Sequence, residues 1–217
     1  MNFLDILGVL AEGLAETFAV TIACSLTGFA TGLLFTNARR SGLLPLVFAV
    51  DVALYVLRGV PMLVLLFLVY FGLPGFGVRV SPMVAMMLSL GLIAGAYLAE
   101  VFRGALGSVD ANETLAARAM GLTKIQIFLH IEFPQMMRFA FPGIVNEFTS
   151  VLKYSPFAYT VGIPEITKQA MSLSATTLRG VEIYLAVGFL YFAIYRVVLV
   201  GFDAVERRFR VPGIGPG

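Results

Sequence analysis

Five separate stretches of this chain are apolar over the length a bilayer demands, roughly 20 residues for each spanning helix. They cover residues 14–35, a longer tract within 43–71, and then 82–102, 139–163 and 181–202. A soluble fold of 217 residues, 59% hydrophobic and 13% charged, has too little interior to hide that much apolar surface. Ordinary soluble domains run about 45–50% apolar and about 25% charged. In lipid, backbone N–H and C=O groups must be satisfied within the protein, so continuous runs of this length read as helices. The expectation is an all-α integral membrane protein with five transmembrane helices, forming a single domain over residues 1–217.

The basic residues give that bundle an orientation, because cytoplasmic connections carry the excess of Lys and Arg. One set of connections holds Arg39 and Arg40, then Arg103, Arg118, Lys124 and Arg138, then Arg207, Arg208 and Arg210. The other holds Arg79, Lys168 and Arg179. The first set is therefore expected inside, with the N-terminus outside and the C-terminus inside. The first residues are flanked by acidic rather than basic side chains, so no cleaved signal is expected.

Several function classes are excluded. Net charge is only +2 and no run of five Lys or Arg exists, so nucleic acid is not a partner. Cys24 is the lone cysteine and reads as small apolar filler in the first span. His130 is the lone histidine, which rules out histidine-based metal clusters and reads as a solvated loop residue. The sequence contains neither a G-x-x-x-x-G-K-[ST] phosphate loop nor a G-x-S-x-G nucleophile turn. No catalytic residue, metal ligand or cofactor site is expected, and the chain does not read as an enzyme.

The polar segment 104–138 reads as helix, glycine break, helix. Asp110 and Glu113 have capping-box spacing, Ala116, Ala117 and Ala119 favour helix, and Gly121 is placed to stop it with positive φ. Thr123 and Gln126 repeat the capping spacing, and Pro134 is expected to end the second piece. The outer segment 164–179 reads as partly helical. Gly28-x-x-x-Gly32 and Gly91-x-x-x-Gly95 are candidate close-packing faces on the first and third spans.

Charge inside a span marks a pathway or a paired site. Asp51, Tyr55 and Arg58 share one helical face, yet Asp51 and Arg58 lie about 10 Å apart along the axis, too far for a direct pair. Gly59 and Pro61 then break the helix. This face either lines a pathway or belongs to an interfacial helix whose Arg58 reaches the headgroups. In the fourth segment Asn146, Thr149, Ser150 and Lys153 share a face, with Glu147 on its flank. Glu147 and Lys153 are six residues apart and cannot pair within one helix. That stripe faces either a water-filled cavity or a polar seam between helices.

The stretch Ala116-Ala117-Arg118-Ala119-Met120-Gly121, followed by Ile131-Glu132-Phe133-Pro134-Gln135, resembles the EAA loop of bacterial ABC importer permeases. The wider resemblance is to permeases of the polar amino acid uptake family, of the histidine and glutamine type. Tyr55-Val56-Leu57-Arg58-Gly59-Val60-Pro61 is similar to that family's Y-x-x-x-R-G-T-P. Ala96-Tyr97-Leu98-Ala99-Glu100-Val101-Phe102-Arg103-Gly104 is similar to its A-Y-x-x-E-x-x-R-G. Leu152-Lys153, and Gly162 before Pro164-Glu165, stand where the family has L-K-D-T-S-L and G-x-x-E. Four positions depart from the pattern: Leu115 occupies the usual Glu slot of the loop, Val60 the usual Thr, and Tyr154 and Pro156 replace Asp and Ser after Lys153.

The resemblance implies half of a translocation path in the bacterial cytoplasmic (inner) membrane, multi-pass and driven by ATP from outside this chain. Leu115, Ala116, Ala117, Arg118, Ala119, Gly121 and Pro134 would form the coupling-helix loop. Asp51, Tyr55, Arg58, Asn146, Glu147, Ser150 and Lys153 are the candidate path and substrate residues. Implied partners are cytoplasmic ABC ATPase subunits carrying the ATP and Mg, a second permease subunit, an extracytoplasmic solute-binding protein, membrane lipid and an amino-acid substrate. The pair Asn146-Glu147 leans toward a polar or cationic amino acid. The alternative is a stand-alone secondary transporter or channel, which usually needs inverted repeats; none is evident.

Overall fold

The computed structural model describes residues 2–209, which form eleven α-helices with short π and 3₁₀ turns and no strand among them. A short helix α1 (Phe3–Ala11) precedes α2 (Leu14–Arg40). The 27 residues of α2 extend about 40 Å. Helix α3 (Leu44–Gly59) is followed by α4 (Met62–Phe67), which continues through a π turn and a 3₁₀ turn to Phe76. The next helical run is α5 (Pro82–Met86), a π turn, and α6 (Leu92–Gly107). The polar segment holds α7 (Ala111–Ala119) and α8 (Lys124–Ile127), and a π turn at Phe128–Glu132 leads into α9 (Phe133–Tyr154). A 3₁₀ segment Ser155–Val161, α10 (Ile166–Thr177) and α11 (Gly180–Phe209) complete the described chain.

Among the described residues, three helical runs are long and apolar enough to cross a membrane: Leu14–Arg40, Pro82–Gly107 and Gly180–Glu206. Leu44–Gly59 with Met62–Phe76 makes a fourth candidate, bent by 108°. The bend sits where the sequence places it. Val60 is extended (φ −88°, ψ 130°), as a residue before proline prefers. The expected fourth span, 139–163, departs from a simple crossing. Its helix ends at Tyr154 in a 3₁₀ segment. The full helix α9 includes Arg138, Glu147, Lys153 and an internal Pro142, so composition alone does not mark it as a crossing.

The centre of the bundle is the pair α2–α6. A Cβ on Gly28 would lie 2.8 Å from the Ala94 Cβ, and one on Gly95 would lie 2.0 Å from the Thr31 Oγ1. Gly32 and Gly91 approach Leu98 and Thr27 almost as closely. The two glycine pairs therefore are the packing faces their spacing predicts, and they bring the two backbones close, with the short side chains of Thr27, Thr31 and Ala94 and the Leu98 Cβ set against them. Cys24 lies fully buried in the adjoining core with Val20, Leu66, Met86 and Leu90. A second core joins α1 to α10 and α11 through Ile6, Leu10, Ile166 and Ile183.

Candidate functional site

At the end of α2 that carries Arg39 and Arg40, three helices meet through charge. The Arg39 guanidinium pairs with Asp51 of α3 and, at 2.8 Å, with Glu100 of α6. Glu100 also pairs with Arg103 at 2.7 Å and stands 3.8 Å from Arg58. Asp51 and Arg58 thus do not meet each other, as their spacing predicts; each finds its partner on another helix. The Y-x-x-x-R-G and A-Y-x-x-E-x-x-R-G stretches converge on Glu100, a meeting that neither stretch reveals alone. Tyr55 and Arg58 also line an open cleft of about 580 Å³ at the α3–α4 bend, beside Tyr97. Tyr55 is 77% exposed.

The loop between α6 and α9 is a compact hairpin. Asp110 caps α7 by accepting the Asn112 N–H at 2.9 Å. The expected capping box at this end is not reciprocal, because the Glu113 carboxylate instead accepts the Gln135 side-chain amide of α9. Gly121 has φ +84°. Its N–H donates to the Arg118 carbonyl at 2.9 Å and the Leu122 N–H to the Ala117 carbonyl at 3.1 Å. Those two bonds are the helix-ending pattern that a left-handed residue permits. Thr123 and Gln126 form the reciprocal capping box the spacing predicts.

Pro134 does not end the second piece. It lies in the first turn of α9, and the chain stays helical through it. The physical reason is the preceding π turn, in which the Phe133 N–H reaches the Phe128 carbonyl. The wider turn leaves room for a residue that has no N–H to offer. Within α7, Leu115, Ala116, Arg118 and Ala119 are exposed, as is the following Met120. Ala117 turns inward and is buried.

On α9, Asn146 and Lys153 are exposed and Ser150 is partly so. Ser150 donates its hydroxyl to the Asn146 carbonyl at 2.9 Å. Thr149, expected on the same stripe, is only 4% exposed and faces the interior. Glu147 points elsewhere. It lines a groove of about 220 Å³ between α2, α6, α9 and α11, walled mainly by Leu26, Phe29, Leu98, Phe148 and Phe202. Ser25, on the same groove, has a buried Oγ without a hydrogen-bond partner among the described residues.

A further polar cluster at the opposite end of α2 went unread in the sequence, although Glu165 stood in one of the matched stretches. Glu165 is fully buried and accepts the Thr167 and Lys168 N–H groups and the Tyr191 hydroxyl, each at 2.8 Å. Burial pushes its carboxyl above the ordinary range, opposed by those donors. Thr17 of α2 accepts the Ile166 N–H. Gly13 lets α2 approach so closely that a Cβ there would be 2.4 Å from that same nitrogen. The cluster joins α2, α10 and α11. Only the carboxylate could have signalled it in advance, since a buried acid at a helix start is a capping candidate.

The profile of the family described as "Binding-protein-dependent transport system inner membrane component" matches residues 28–211. The chain is 39% identical over 158 residues to the probable amino-acid permease protein YxeN of Bacillus subtilis (strain 168), covering 71% of this chain and 70% of that one. It is 32% identical to the histidine/lysine/arginine/ornithine transport system permease protein HisQ of Escherichia coli (strain K12), covering 94% of both. A solved structure, described as an amino acid ABC transporter with histidines, matches with a TM-score of 0.86 and 28% identity, over 96% of this chain and 99% of that one.

Proposed function

The chain belongs to the inner membrane components of binding-protein-dependent transport systems, and on that premise we propose that it is one membrane subunit of an ATP-driven ABC importer for amino acids. In this reading it supplies half of the translocation path in the bacterial cytoplasmic membrane. A second permease subunit, the same or related, supplies the other half. A separate cytoplasmic ATPase binds ATP and Mg, and an extracytoplasmic binding protein delivers the solute. Helix α9 makes the fifth crossing. Its exposed polar residues then face the second subunit rather than lipid, which accommodates their charge.

The observation that carries this reading is the surface of α7. Leu115, Ala116, Arg118 and Ala119 are exposed together on a short helix that is capped at both ends and held to α9 by Glu113 and Gln135. A narrow, rigid surface on which Ala116 and Ala119 stand beside Leu115 and Arg118 suits insertion into a groove on a partner. A rigid element moves as a body and can pass that partner's closure to the spans. Arg39, Arg40, Arg103 and the loop lie at one end of the bundle, which supports the cytoplasmic placement of the loop.

Glu147 is the substrate residue this reading favours. A carboxylate in an apolar groove offers a cationic amino acid a partner that water does not screen. Reconstitution in liposomes with the ATPase and binding protein tests this, with labelled arginine, lysine and histidine. ATP-dependent uptake is expected, and Glu147→Gln should lower it at least about tenfold, the scale of losing one buried charged partner. Complex assembly should be unchanged. Equal uptake by the variant would make Glu147 a packing residue. For topology, a tag at Asn2 should be reached from outside and one at Gly217 from inside; both on one side would overturn the five-crossing arrangement.

A further inference from the structure

Force applied to α7 has to reach the spans through whatever holds the hairpin. The hairpin is covalently continuous with α6 and α9, but α2 lies far from it in sequence. Glu132, in the π turn of the hairpin, pairs with Arg40, 92 residues away at the end of α2. The same guanidinium lies over the Phe128 ring, 5.3 Å from its centroid. The Glu132 side chain is only 14% exposed, so this contact is seated against the protein rather than loose in solvent. Its neighbour Arg39 points to other partners, Asp51 and Glu100. Two consecutive arginines, about 100° apart around the helix, thus fasten two different faces of one helix end.

What lies behind them is stiff. Close glycine contacts pack α2 onto α6, and interiors packed this way shift as units rather than deform. We propose that the end of α2 is the joint through which displacement of the loop enters the α2–α6 core. Arg40 is its positioning residue, acting through Glu132 and Phe128. Arg39 fixes α3 and α6 to the same helix end, so the bent α3–α4 segment moves with them. Arginine suits the position better than lysine, because a planar guanidinium pairs with a carboxylate and covers an aromatic face at once.

This inference rests on the ATPase-coupling reading, and the test separates the two. The full complex is reconstituted with Arg40→Glu, with Glu132→Arg, and with both exchanged. Copurified ATPase and basal hydrolysis are expected to stay at the wild-type level. Solute-stimulated hydrolysis should fall about fivefold in each single variant, the upper end for a part-exposed ion pair, and recover in the double exchange. Arg40→Lys and Phe128→Leu, which keep the charge pair, should each lose about twofold, the share of a part-exposed cation over a ring. These milder variants decide the matter where a charge reversal fails to insert. Wild-type stimulation in the single variants, or a double exchange no better than either, would overturn the joint while leaving the transporter reading intact. A wild-type chain that brings down no ATPase would overturn the coupling reading, and the joint with it.

Discussion

Gly121→Val is expected to leave a normal amount of chain in the membrane while removing solute-stimulated ATP hydrolysis. At φ +84° a residue with a Cβ pays about 1–2 kcal/mol, and a β-branched side chain fits that region worse still. The cost is one of backbone strain, because a Cβ at Gly121 would meet nothing within 4 Å among the described residues. The helix end is therefore expected to rearrange rather than jam. Rearrangement breaks the Gly121 to Arg118 and Leu122 to Ala117 hydrogen bonds and turns the exposed face of α7 away from its partner. The spans are not touched by this change. Ala116→Asp should give the same phenotype by a different route, placing an unpaired charge in the groove at a cost of several kcal/mol. The measurement is copurified ATPase per permease, with uptake in parallel. Both variants behaving as wild type would remove α7 as the docking element.

Gly28→Leu is expected to do the reverse, destroying the fold and leaving no assembled complex to assay. Its Cβ would lie 2.8 Å from the Ala94 Cβ and 3.2 Å from the Gly91 carbonyl oxygen and the Gly95 nitrogen. Overpacking costs about 1–3 kcal/mol where neighbours can move aside. Here the opposing wall is largely the α6 backbone, so the cost belongs at or above the top of that range. About 3 kcal/mol is roughly a hundredfold shift in a folding equilibrium. Size-exclusion profiles of detergent-solubilised chain should show the monodisperse peak lost. Gly28→Ala should fall between, since it meets the Ala94 methyl without filling the seam. A normal profile for the leucine variant would mean that α2 and α6 are not packed this closely in the membrane.

Much of this protein was legible in the chain because the relevant forces are local or periodic. Apolar runs of bilayer length mark α2, α6 and α11, since lipid forces each backbone to satisfy itself. Gly59 to Pro61 mark the bend, because proline restricts its own residue and the one before it. Gly121 marks the helix end, because a left-handed turn selects against a Cβ. The glycine pairs at 28 and 32 and at 91 and 95 mark the seam, because at a spacing of four they share a face.

What the chain could not declare is where long side chains go once helices distant in sequence meet. Asp51 shows no partner in the sequence until Arg39 is seen to reach it, and Glu100 gathers Arg39 and Arg103 with Arg58 nearby. Thr149 leaves its expected stripe because packing of α9 against its neighbours sets which arc of that helix is inside. Glu147 turns into a groove whose walls come from four helices. Pro134 is absorbed by a π turn that only the continuous α8–α9 path requires. Helical periodicity fixes which residues share a face, at 100° per residue. The absolute rotation of that face, and the partner of each buried charge, depend on how neighbouring helices close-pack, and that is a property of the assembled bundle.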